Sequence, residues 1–363
     1  MKANILSRSF SKNVNRSLFL TLLLGITGFL VLPAAGQRVS SLNPLQVALL
    51  KWSPNLTTTF TVGGNPIGVA FDGASIWVVN NLDDNVTKTR ASDGAVEGTF
   101  DVGSGAAGSA SEGANISVTN SHDTNVTKSL SIDTAFETGP TTIAFDGANM
   151  WIVNGGSNNV TKLRASDGAL QGVFTVGTFP QGVAFDGANI WVANLLSNNV
   201  TKLRASDGAL QGTFNVGTAP IGVAFDGANI WVGNAGSDNV TKLRASDGTL
   251  QGTFSVGAFP KFIVFDGASI WVVNAHSGNV TKLRASDGAL QGTFSVGTAP
   301  VGVAFDGINI WVANAATNNV TELRASDGAL QGTFSVGTNP TLLAFDGANI
   351  WVANLNSNTV SKL

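Results

Sequence analysis

The chain has 363 residues, no cysteine, two histidines, 43 glycines and a formal net charge of −3. The lack of cysteine excludes disulfides and thiol–metal centres, and a mildly acidic chain without a basic cluster offers no electrostatic footprint for nucleic acid or an anionic membrane. So much glycine, without sustained helical periodicity in the apolar residues, points to a turn-rich all-β protein.

In chain order, Lys2, Arg8, Lys12 and Arg16 precede an apolar stretch at 17–32, and Ala34-Ala35-Gly36 supplies small residues before Gln37. This is the layout of a secretory signal peptide, and the apolar run is short for a membrane span. The expectation is an exported monomer found in the periplasm, at the cell surface or outside the cell, with no membrane contact beyond the signal segment. Cleavage would remove four positive charges and no negative ones, leaving a more acidic chain. Residues 37–56 form a leader with a Leu-rich patch at 45–52, too brief to separate a short helix from an extended arm.

From residue 57 onward the chain repeats itself about every 40 residues. Trp77, Trp151, Trp191, Trp231, Trp271, Trp311 and Trp351 mark the copies, and Ser117 holds the equivalent place in a decayed one. In the unit 181–220, runs at 182–185, 190–193 and 200–204 and a fourth around Thr213, Phe214 and Val216 are separated by Asn, Asp and Gly turn residues. Four short strands per 40-residue unit read as one four-stranded antiparallel blade of a β-propeller. Eight units are counted, with seven blades as the alternative if the decayed copy fails to form. Small residues in the first run suit the crowded innermost strand, and Trp191 points to the face opposite Ile190 and Val192, where both faces are packed by neighbouring blades. The segment 57–63 matches a fourth strand, whereas the chain ends just after a third strand. The amino-terminal strand is therefore expected to complete the last blade and close the ring.

The run from Pro180 to Leu203, P-Q-G-V-A-F-D-G-A-N-I-W-V-A-N-L-L-S-N-N-V-T-K-L, resembles YVTN and NHL-type propeller repeats, in the group that includes virginiamycin B lyase-like and bacterial surface YVTN proteins. The resemblance covers residues 57–363 and concerns structural motifs. It implies blades around a central channel with the first strand innermost, so that the loops after strands two and four lie on one face, the top. Family rings mostly have six or seven blades, so a count of eight departs from the pattern.

Comparison of the units with one another locates the candidate site. The bottom turns, Asp-Gly-Ala-Asn and Ser-Asp-Gly, barely vary, and their aspartates suit the turns themselves. The top loops do vary, from NNLDDNV at 80–86 to NLNSNTV at 354–360, as do the links at 66–67, 179–181, 259–261 and 339–341. Stable framework with variable loops is how a scaffold presents a binding surface. The top-face ligand-binding candidates are Asp83, Asp84, His122, Asp123, Asp238, Lys261 and His276. The carboxylates could offer oxygen ligands to Ca²⁺ or Mg²⁺, although no loop has a spacing that requires a metal, and no cofactor is expected. Three readings follow: a binding scaffold for an envelope protein, glycan or small molecule; a metal-dependent lyase or lactonase; or a structural envelope protein. The enzyme reading needs Asp83, Asp84, Asp123 and a histidine to converge. The repeated Asn-Val-Thr triplets formally match glycosylation acceptors but coincide with strand starts and read as structural. The Lys and Arg of Thr-Lys-Leu-Arg read as a solvated outer ladder, broken by Glu322.

Overall fold

The structure is a computed structural model that describes residues 57–363 apart from 113–114, 124, 129–130 and 134–139. The signal-peptide and leader readings for 1–36 and 37–56 lie outside the described residues. Among the described residues the strands form eight four-stranded antiparallel sheets, so eight blades are present rather than seven. The decayed copy is one of them, built from Ala106–Glu112, Asn115–Asn120, Asn125–Lys128 and the short Ser131–Asp133. Numbering blades in chain order, the fourth has strands Pro180–Phe185, Asn189–Asn194, Asn199–Arg204 and Leu210–Asn215. Its innermost strand lies beside those of blades three and five, and the series closes where Pro66–Phe71 of blade one meets Pro340–Phe345 of blade eight.

Close approach at the axis explains the small residues of the inner strand. A methyl group on Gly182 or Gly302 would overlap the carbonyl of Ile221 or Thr341 on the next inner strand. Glycine is needed there because one backbone lies directly against another. Blades three, six and eight carry Thr142, Phe262 and Leu342 at this position instead.

Most hydrophobic clusters lie between blades, the exception being Met150, Ile152, Leu163 and Ala165 within blade three. Trp151, Val153 and Val160 of blade three pack on Ile190, Val192 and Leu203 of blade four. Trp191 and Val200 of blade four then pack on Ile230, Val232 and Leu243 of blade five. Period-two alternation along the second strand therefore sends Trp191 forward and Ile190 and Val192 backward, as the pattern predicts. Each Trp also stacks obliquely on its own blade's fourth-strand Phe, as in Trp191–Phe214 with ring centroids 5.5 Å apart.

An aspartate fixes each indole of the series. The Trp191 Nε1–H donates to Asp186 at 2.8 Å, and the other carboxylate oxygen of Asp186 accepts from the amides of Ala188 and Asn189. The Phe-Asp-Gly aspartate thus ties the bottom turn to the core. Burial alone would raise the carboxyls of Asp72 and Asp146, but donation from their Trp and from turn amides outweighs it and holds both below the usual carboxylate range.

The lysine of Thr-Lys-Leu-Arg corrects the expected solvated ladder. Lys202 is buried, sits in register beside Trp191, and donates its ammonium protons to the carbonyls of Ala245 and Ser246 in blade five at 2.7 and 2.9 Å. The same ammonium lies 5.0 Å from the Trp191 ring centroid. Lys162, Lys242 and Lys282 repeat this contact with the following blade. A blade has no solvent face, so a side chain beside Trp on the second-to-third strand pair must enter the seam. Only the arginines remain exposed, paired to turn aspartates as in Arg204–Asp207 at 2.9 Å.

Closure follows the topological expectation. Thr58–Thr61 pairs antiparallel with Thr359–Lys362 as the outer strand of blade eight. Phe60 stacks on Trp351 at 5.7 Å, and Lys362 donates across the seam to the carbonyls of Ala91 and Ser92 in blade one. The seventh blade is the exception. Glu322 replaces the lysine and accepts from Asn309 Nδ2 at 2.8 Å. A lysine at 322 would forfeit this bond to Asn309.

Replacing Lys202 by Met should cost about 2–4 kcal/mol, since two charge-assisted hydrogen bonds go and two carbonyls lose their donor. Glu322→Lys should bring no gain. Denaturant midpoints measure both, and a Lys202→Met protein as stable as wild type would contradict the seam assignment.

Candidate functional site

The top-face loops have a common frame. In each, the last residue of the second strand, such as Asn194, is buried, and Asn194 donates Nδ2 to Asn199 Oδ1 and Thr201 Oγ1. This contact recurs from Asn80 to Asn354, with Thr359 and Ser361 as acceptors in the last blade. The threonines of the Asn-Val-Thr triplets are buried acceptors, which bears out the structural reading of those triplets.

Counting the buried Asn as the first residue of the loop, the fourth and fifth residues are anchors. At the fourth, Ser197, Ser237, Ser277 and Ser357 accept from the amide of the link that enters their own blade. At the fifth, Asn158, Asn198 and Asn318 accept from the link that enters the next blade. Asn358 does so across the closing seam, from the Asn65 amide at 3.1 Å. The fifth residue is also left-handed, with φ of 60° at Asn158, 55° at Asn198 and 54° at Asn318. Asn, Asp and Gly tolerate this conformation best.

The predicted acidic candidates fall into these anchors. Asp83 and Asp123 occupy the fourth position and accept from Gly64 and Ser104. Asp84 and Asp238 occupy the fifth, with φ of 51° and 52°, and accept from Gly105 and Phe259 at 2.8 and 2.9 Å. Their carboxylates stand in for the Ser hydroxyls and Asn carbonyls of the other loops. Among the described residues no three His, Asp or Glu side chains come together in a group able to hold a metal ion. Among the described residues Asp83, Asp84, Asp123 and a histidine therefore do not form the convergent group that the lyase or lactonase reading calls for.

The remaining candidates are placed differently. His122 is exposed at the third loop position of blade two, its amide bonded to the Ser104 carbonyl. His276 is exposed at the same position of blade six and stacks on Phe259, with ring centroids 4.3 Å apart and planes 21° apart. Lys261 is half-buried on the innermost strand of blade six, its ammonium 5.3 Å from the Phe262 ring centroid. Burial lowers its pKa from the ordinary lysine value. The seven candidates thus lie in top loops or at the top of an inner strand, spread over blades one, two, five and six.

The third loop position is where the units differ in the open. It holds Leu82, His122, Gly156, Leu196, Gly236, His276, Ala316 and Asn356, all exposed. Leu82 and Leu196 are 66% and 61% exposed, and Phe179 on a neighbouring link is 43% exposed. The sequence contained this signal, since the fourth and fifth positions vary only among Ser, Thr, Asp, Asn and Gly while the third varies in size and polarity.

No family model and no curated protein matches the chain. Solved structures do match its fold. The computationally designed Ika8 protein aligns with a TM-score of 0.75 at 12% identity, over 83% of this chain and 98% of that one. A streptogramin B lyase aligns at 0.60 and 16% identity, over 84% and 96%. Virginiamycin B lyase from Staphylococcus aureus aligns at 0.59 and 15% identity, over 84% and 98%. The chain therefore shares the β-propeller fold of virginiamycin B lyase-like proteins, consistent with a propeller of the YVTN and NHL type.

The anchor assignment separates hydrogen bonding from charge. Asp238→Asn should leave stability within about 0.5 kcal/mol, whereas Asp238→Ala should cost about 1–2 kcal/mol through the lost hydrogen bond and the left-handed backbone. Added Ca²⁺ or Mg²⁺ should not shift the thermal transition of either. A metal-induced shift in wild type that Asp238→Asn abolishes would contradict the assignment.

Proposed function

We propose that the propeller is a binding scaffold that engages its ligand through the top-face ring, and that segment 1–36 directs it out of the cytoplasm. One observation supports the scaffold reading above the rest. Side-chain diversity is concentrated at an exposed position carried on a backbone held by the same hydrogen bonds from blade to blade. A rigid frame lowers the ordering cost of association, and a ring of variable side chains can be matched to a partner without altering the blades. Exposed Leu82, Leu196 and Phe179 give that ring apolar contact points. The polar surroundings from the loop anchors suit an envelope protein, a glycan or a small molecule.

The bottom turns provide an internal control, because Ala148, Ala188 and Ala228 are exposed in near-identical turns. A photo-reactive residue placed singly at 82, 196 or 316, and in parallel at 148, 188 or 228, would be irradiated in the exporting cell. Adducts should be several-fold more abundant from the top positions and should converge on one species. Equal labelling from both faces, or none from the top, would overturn the reading.

A further inference from the structure

Blade six differs from its sister blades where its inner strand meets the top loops. Five of the eight inner strands begin Pro-x-Gly or Ala-x-Gly and two begin Pro-Thr-Thr or Pro-Thr-Leu, whereas Pro260–Phe265 reads Pro-Lys-Phe-Ile-Val-Phe. The second position holds Ile67, Ala107, Thr141, Gln181, Ile221, Val301 and Thr341 in the other blades, so Lys261 is the one cation of the series. Thr341 shows where such a side chain can reach, because its hydroxyl donates to the Ile67 carbonyl on the following inner strand. Phe262 takes the glycine position and packs into the seam with blade seven, giving the Lys261 ammonium an aromatic face. Two residues before Lys261, Phe259 is held in the left-handed region at φ 58° and carries the His276 ring on its own.

The ammonium has little to offset its burial. The inner strands on either side, Pro220–Phe225 and Pro300–Phe305, and its own second strand Ser269–Asn274 contain no acid. Asp238, the nearest acidic anchor along the top, is bonded to the Phe259 amide, and among the described residues no carboxylate forms an ion pair with Lys261. Desolvation acts on this lysine without a compensating charge. A half-buried cation with only an aromatic face as partner is short of an anion.

We propose that Lys261 is the anion-holding group of a small-molecule site at the top mouth of the channel, which takes a monocarboxylate whose flat apolar body packs on Phe262 and the Phe259–His276 pair. One ammonium in an apolar wall matches a single negative charge. A phosphate dianion would call for further donors, such as a guanidinium fork or a cluster of free amides. The site rests on the top-face reading for the end from which the ligand enters, and it narrows that reading to a ligand class.

Calorimetric titration of the purified chain with benzoate, with benzamide as the neutral isostere and with inorganic phosphate, tests the proposal. Benzoate should bind saturably and about tenfold or more tightly than benzamide. Lys261→Gln should remove that preference while folding normally, because blade four carries Gln181 at the same place. Isotope-edited NMR of the lysine side chain should show the Lys261 pKa rising when benzoate is added. Equal binding of benzoate and benzamide, no benzoate binding, or an unchanged preference in Lys261→Gln would overturn the site. Phosphate displacing benzoate at equal concentration would overturn the monocarboxylate assignment. Photo-adducts from the top loops without benzoate binding would remove this site and leave the scaffold reading standing.

Discussion

Everything in this propeller depends on the contact in which one blade's Trp is pressed against the next. Trp191 is fixed by Asp186 at its nitrogen, by Phe214 at its edge and by the Lys202 ammonium over its face, and that ammonium ends on the backbone of blade five. The contact joins burial, hydrogen bonding and a desolvated cation in one place. It also explains why the unit tolerates so little variation: Trp191, Lys202 and Phe214 occupy positions set by strand register, and Asp186 one set by the turn that precedes the second strand. Breaking the register by one residue would send Trp to the wrong seam.

A ring built from such contacts has to close, and it closes at several levels. The outer strand Thr58–Thr61 completes the sheet of blade eight, Phe60 replaces the missing stacking partner of Trp351, and Lys362 reaches blade one as its sisters reach their neighbours. At the top, Asn358 clips the link into blade one. The one lysine missing from the series is at 322, where Glu322 instead accepts from Asn309 within blade seven. Blade two shows how far the pattern can degrade. Ser117 is buried in place of Trp, yet Ile116 and Val118 still pack against Trp77 of blade one.

The architecture was legible because period 40 and period two both come from side chains that face into seams. The Trp series, the four runs per unit and the unmatched terminal strand lead to the observed ring. The lysines misled because a charged residue in an outer-half strand reads as solvent-facing, and nothing in a single unit shows that the next blade covers it. The acidic candidates misled for a related reason. Asp83, Asp84, Asp123 and Asp238 stand out by charge, but each has Ser or Asn at the matching place in other units and does their hydrogen-bonding work. Alignment by loop position, rather than by chemical type, separates these anchors from the exposed third position. Lys261 survives that comparison, since no other unit has a cation there.

The seams, the top clips and the mouth of the channel all presuppose a closed ring, in which the amino-terminal strand is the outer strand of the eighth blade. Thr59 and Ser361 are register partners with side-chain oxygens 3.2 Å apart, and the chain has no cysteine of its own. A Thr59→Cys/Ser361→Cys protein should therefore form one intramolecular disulfide on mild oxidation, seen as loss of both thiols and a faster-migrating monomer on a non-reducing gel. Thiols that stay free in the folded protein, or that pair only between molecules, would contradict the closure.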